Sequence, residues 1–241
     1  MKKHWKKIVI GAVLAILLAV TAAPWVYIHW IKADAPKRLS IDDATPPVGV
    51  AVPVGTGSPV GTGNTPAATN DNTWIIGAGS QLGYRVVEVL FGQDTEGVGR
   101  TGKITGSLTL DDTIVSTATF TVDMTTLTSD DSRRDRKFKG QIMNTATIPT
   151  ATFTLSAPID LGSVPSDGQQ ITATAAGDLD LHGVTKPVTF EVTAKRTGPT
   201  IAVSGSFDVK FADYDIANPS GGPVTTQDHG LIEFALAFAQ G

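Results

Sequence analysis

The chain has 241 residues, 41% of them hydrophobic, with 25 Gly, 14 Pro and no Cys, which is enough for one sizeable domain plus extra segments. The absence of cysteine excludes a disulfide framework, a lipid-modified cysteine, a thiolate nucleophile and Cys-ligated zinc. The net charge of −4 divides into +3 over residues 1–72 and −7 over residues 73–241, and an acidic globular part argues against nucleic acid as a partner.

Residues 1–31 read as a membrane anchor. Four lysines in "MKKHWKK" precede a run from Ile8 to Ile31 in which Thr21 and His29 are the polar residues. As a helix this run spans about 36 Å, enough to cross a bilayer. The lysines place the N-terminus in the cytoplasm, and Trp25, Tyr27 and Trp30 cluster where rings favour the far interface. The competing reading is a cleaved signal peptide with Val20-Thr21-Ala22 as its small-residue site. The apolar run continues past that site, so the uncleaved anchor is preferred. Residues 32–72 alternate Pro, Gly and Thr, with "PVGTG" twice. Such composition buries no core and predicts a tether with a span of about 35 Å.

From Trp74 onward strands are expected. Trp74–Ile76 and Leu82–Phe91 come first, the second apolar on both faces. Ile104, Gly106, Leu108 and Leu110 alternate with polar residues. After a turn at Asp111-Asp112, so do Ile114, Ser116, Ala118, Phe120 and Val122. Ala151, Phe153 and Leu155 follow a charged break. The longest alternation runs from Ile171 to Lys195, with Ala173, Ala175, Gly177, Leu179 and Leu181 on one face, then Val188, Phe190, Val192 and Ala194. Two turns are open between its halves: a two-residue reversal at His182-Gly183, or a longer one opposing Leu181 to Val188. The longer one is preferred because the tight turn places Pro187 inside a strand. Val203, Gly205, Phe207 and Val209 alternate next, and Ile232, Phe234, Leu236 and Phe238 close the chain. Eight or nine alternating strands with few helical runs between them predict an all-β antiparallel barrel or sandwich.

Inward positions include many small residues, among them Gly106, Ala118, Ala175, Gly177 and Gly205. They leave either a pore for a ligand or two closely packed sheets, since an eight-stranded barrel is just wide enough for side chains or one small ligand. Catalytic signals are close to nil. The domain has His182 in a turn and His229 beside Asp228, no His/Asp/Glu spacing that supplies a metal site, and no Gly-x-Ser-x-Gly elbow. No enzyme activity, metal or cofactor is expected. The unusual polar stretch is "DDSRRDRKFKG", Asp130–Gly140, in which Asp130 or Asp131 caps a short helix. It is either a solvated helix across one end of the barrel or a basic rim for anionic groups.

Read together and in order, these stretches resemble the YceI-like, or polyisoprenoid-binding, family over about residues 73–241. The resemblance rests on "TWIIGAGSQLGYRV", "GVGRTGKITGSLTL", "RRDRKF", "IPTATFT", "GDLDLHGVTKPVTFEV" and "QDHGLIEFALAF". It implies an extended, lipocalin-like barrel of about eight strands with a short helix near its opening, holding an isoprenoid-type chain in an apolar pore. The implied pore residues are Ile104, Leu108, Phe120, Phe153, Ala175, Gly177 and Leu179, with Phe190, Val192, Gly205, Phe207, Phe234 and Leu236. The head-group or rim candidates are Arg133, Arg134, Asp135, Lys137 and His182, of which the resemblance carries Arg134-Asp135 and His182, along with Gly183 and Lys186-Pro187. The chain departs from the family's pattern at Gly77 and Gly79-Ser80, where many members carry Asp and His-Ser. It departs again at Gln227-Asp228-His229-Gly230, where an Arg usually precedes the closing Gly. The expectation is a single-pass membrane protein whose barrel lies outside the cytoplasm and serves lipid carriage, storage or envelope stress response. A filled, lipid-free envelope interaction module is the alternative.

Overall fold

The computed structural model describes residues 10–13, 16, 22, 26, 35–44, 72–163, 166–222 and 224–241. Most of the expected membrane span, Ile8–Ile31, lies outside the described residues. Those of it that are described are helical, and among the described residues no helix is long and apolar enough to cross a membrane.

The strands in chain order are β1 (Thr73–Ile76), β2 (Gln81–Leu90), β3 (Gln93–Thr101), β4 (Ile104–Asp111), β5 (Ile114–Asp123) and β6 (Thr128–Ser129). After a helical interruption come β7 (Thr150–Leu155), β8 (Ile159–Asp160), β9 (Gln170–Leu181), β10 (Val184–Thr197), β11 (Thr200–Lys210), β12 (Val224–Thr226) and β13 (His229–Gln240). Hydrogen bonding runs in the order β1-β4-β5-β7-β9-β10-β11-β13, and β13 returns to β1. The fold is therefore a closed, eight-stranded antiparallel barrel, and closure removes the free edges an open sheet would expose. On the side away from β11, the long β13 serves two neighbours: Phe238–Gln240 pair with β1, while Leu231–Ala235 pair with β2. β2 and β3 thereby extend the wall at one end. β3 carries no apolar alternation and escapes the pattern reading.

The turn between β9 and β10 corrects an expectation. Leu181 opposes Val184 and Ala175 opposes Phe190, so the reversal is the tight one at His182-Gly183. Both residues have positive φ, 55° and 79°, the conformation that matches hairpin twist. Pro187 is accommodated because pairs alternate between bonded and non-bonded outward from the turn. Its opposition to Asp178 falls on a non-bonded pair, which points its nitrogen away from β9. Pairing with β11 begins at Val192, so no ladder bond is lost on that side either. The inward face is the same in both registers.

The inward faces form one core, running from Trp74, Leu108 and Leu236 at one end to Leu127, Phe138 and Met143 at the other. Residues 35–44 form a second, smaller cluster on the outside of the wall. The sequence reading made this part of a spacer, but it is packed. Ile41 and Ala44 of a 3-10 turn (Ile41–Ala44) are buried against Ala202 and Ala235, with Leu39 beside them. Ser40 donates from its N–H and its hydroxyl to Asp43, both at 2.8 Å, and these bonds lower the Asp43 pKa. The strap also covers an ion cluster. Glu233, 1% exposed, lies 3.3 Å from Arg85 and 2.9 Å from Arg100, and Arg85 donates to the Pro36 carbonyl at 2.7 Å.

Candidate functional site: an apolar cavity beneath the helix

The helix Ser132–Lys137 begins at Asp131, whose carboxylate accepts from the Arg133 N–H at 2.8 Å. Hydrogen bonding from the Arg133 side chain, with its backbone bond and charge, lowers the Asp131 pKa to about 2. The helix runs on into a π turn, Phe138–Ile142. Together they lay Phe138, Ile142 and Met143 over one end of the barrel. Phe138 stacks on Tyr84 of β2, ring centroids 4.8 Å apart at 12°. That stack depends on Gly99 across the ladder, where a Cβ would lie 2.5 Å from the Tyr84 ring.

Between helix and barrel lies a cavity of about 140 Å³. Its walls are aliphatic and aromatic, with Leu181, Val209, Ile216 and Ile232 among them. Glu88 and Arg134 are the charged lining residues. Their side chains are 18% and 19% exposed and stand 3.7 Å apart, and Arg134 also pairs with Asp130. Burial opposes the Arg134 charge, but Glu88 and Asp130 outweigh it and hold its pKa above the ordinary value. For the Tyr84 phenol the balance is the opposite: burial pushes its pKa up, against the nearby Arg134 charge. Both lie far from neutrality, so neither changes protonation in the physiological range.

The expected rim residues separate. Arg134 reaches the cavity. Arg133 instead pairs with Asp131 at 2.9 Å. Asp135 accepts from the N–H and hydroxyl of Ser129 at 2.8 and 2.6 Å, fixing the helix to β6. Lys137 donates to the Pro219 carbonyl. His182 Nδ1 lies 3.0 Å from the Tyr214 carbonyl, tying the hairpin turn to the 3-10 segment Phe211–Tyr214. Of the expected rim residues, Arg133 and Arg134 are thus ion-paired, and Asp135, Lys137 and His182 serve as tethers.

The expected pore residues divide by depth. Phe120, Phe153, Leu179, Phe207 and Phe234 line the cavity. Ile104, Leu108, Ala175, Phe190 and Leu236 are buried in the core, and Val192 is packed against it, but none is part of the cavity lining. Gly177 and Gly205 are not open space. A Cβ at Gly177 would sit 2.4 Å from the Phe153 ring, and one at Gly205 would sit 2.7 Å from the Phe234 ring. Reading small inward residues as pore is therefore corrected at these two positions, since the rings of neighbouring strands occupy them. Pattern reading also missed Tyr84, Val86 and Glu88, because the outer face of β2 is covered too and its alternation is blurred. The sequence reading also passed over Phe138, Ile142 and Met143, whose spacings of four and one are the signal that marks an apolar face. Among the described residues no His/Cys/Asp/Glu group is arranged to hold a metal ion.

The YceI-like domain family matches residues 74–238, the barrel and its helix. The UPF0312 protein VPA0850 of Vibrio parahaemolyticus is 28% identical over 146 residues, covering 57% of this chain and 68% of that protein. Protein YceI of Escherichia coli O157:H7 is 40% identical over 72 residues, which span 30% of this chain and 34% of that protein. Among solved structures, a polyisoprenoid binding domain from Saccharophagus degradans implicated in plant cell wall breakdown superposes with a TM-score of 0.58. It is 18% identical, over 71% of this chain and all of that one, and the likeness is one of fold.

Proposed function

This chain belongs to the YceI-like domain family, and on that premise we propose that its barrel binds the apolar chain of an amphiphile, of isoprenoid type. The supporting observation is the cavity itself. It is dry-walled, capped by a helix and edged by one charged pair. Removing apolar chain from water contributes about 0.8 kcal/mol per methylene, so affinity comes from the chain and little from the head. Arg134, the one cation in the lining among the described residues, is already matched by Glu88 and Asp130 and is not free to demand a phosphate. The S. degradans domain supports the isoprenoid choice by its described ligand, as the binding of a relative.

The protein is further proposed to sit in the membrane through residues 8–31, N-terminus in the cytoplasm and barrel outside it, serving lipid carriage, storage or envelope stress. Recovery of a mature chain beginning near Ala23 contradicts that anchor. Binding is tested by titrating the delipidated full chain with a deuterated prenyl alcohol and weighing what stays bound. Leu181→Trp fills the cavity from its wall. Its expected effect is loss of retained alcohol with the unfolding midpoint kept. Equal retention by wild type and Leu181→Trp contradicts binding in this cavity.

A further inference from the structure

Resting on that reading, we infer that a layer of phenyl rings across the middle of the barrel is a floor that sets the length of chain the site accepts. The lining ends at Phe120, Phe153, Phe207 and Phe234, and Phe190 lies against them. The rings form one contact set: Phe190 stacks on Phe207 at 4.5 Å, Phe120 on Phe153 at 5.2 Å, and Phe190 meets Phe153 at 5.4 Å and Phe234 at 5.8 Å. Phe120 and Phe234, 6.0 Å apart, join the two sides.

Two glycines seat the layer. The Phe153 ring lies in the notch at Gly177, and the Phe234 ring in the notch at Gly205, each too close to admit a Cβ. Ring and notch come from different strands, so the rings are held by the wall. Beyond the layer the barrel continues, with Leu108, Ala175, Val192 and Leu236 on its inner faces, but the cavity does not extend to them. The space above the floor, about 140 Å³, matches an engineered apolar cavity of about 150 Å³ that takes one benzene. That accommodates about one isoprene unit at the buried end of a chain. The rest of a longer chain must run outward beneath the helix, past Glu88 and Arg134. The preferred occupants are therefore short-chain prenyl or acyl amphiphiles, and long polyprenyl chains are not swallowed whole.

The test uses the full chain with two prenyl alcohols, geranyl- and geranylgeranyl-length, each bearing a diazirine at the tail. Cross-linked residues are read by peptide mass spectrometry in wild type and in Phe190→Ala. In wild type both tails are expected to label residues at or above the layer, such as Leu179, Phe207 and Phe138, and nothing on the far side. Phe190→Ala opens the floor, so the longer tail is expected to label Leu108, Val192 or Leu236. Far-side labelling in wild type overturns the floor while leaving chain binding intact, and needs no variant to fold. Labels that stop at the layer in a folded Phe190→Ala protein overturn Phe190's part in it. Absence of barrel labelling by either probe overturns the binding reading, and the floor with it.

Discussion

Gly177 and Gly205 show how single residues shape this interior. Both sit at inward positions of long alternating strands, and both stand where a phenyl ring needs room. Adding one methyl group to either forces the Phe153 or Phe234 ring off its site, and such overpacking typically costs about 1–3 kcal/mol. Gly177→Ala and Gly205→Ala are accordingly expected to lower the urea midpoint, with the slope of the transition unchanged. Midpoints equal to wild type would show that the notches are slack and the rings free to move. The alternation of Ile171–Lys195 was enough to identify the inward face. What filled it was not legible there, because Gly177 pairs with Leu155 while its space is taken by the ring of Phe153. Period-two patterning assigns a side chain to a face but is silent on which neighbour reaches across the ladder.

At the scale of elements, the helix and the strap do opposite things to the wall. The helix Ser132–Lys137 with its π turn caps the barrel end and leaves space beneath. Residues 35–44 press against the outer wall and leave none. Composition hid the strap, because the Pro- and Gly-rich sequence that follows it reads as spacer. Its signal was the spacing of Leu39, Ile41 and Ala44 around Ser40 and Asp43, apolar groups gathered on one side of a self-capped turn. Ile41→Asp in the full chain places a carboxylate against Ala202 and Ala235 and removes the main buried side chain of the strap. Its burial is worth about 2 kcal/mol, or about 4–8 °C in Tm for a domain of this size. An unchanged Tm would mean that the strap rides on a wall that does not need it. The turn at His182-Gly183 teaches a related lesson. The sequence argument against it rested on Pro187, and strand pairing removes that objection by pointing the proline nitrogen away from its partner.

For the molecule as a whole, closure through β13 makes a tube with unlike ends. One end is capped by the helix over a cavity edged by Glu88 and Arg134, and the other is packed with Trp74, Leu108 and Leu236. The antiparallel all-β class and the eight strands of the closed barrel carried a readable alternation, whereas β3, β6, β8 and β12 did not, and alternation left barrel and sandwich both open. The division of the interior into a short cavity and a filled half was not readable, since it depends on rings from β5, β7, β10, β11 and β13 meeting in one layer. The measurement that bears most directly on function is native mass spectrometry of the full chain taken from its own cells with no lipid added. The expected spectrum contains a protein population heavier by one amphiphile, whose mass is that of a chain-bearing lipid and which is missing from Leu181→Trp. A bare wild-type chain that also takes up no prenyl alcohol after delipidation would contradict chain binding and leave the barrel an interaction module acting through its surface.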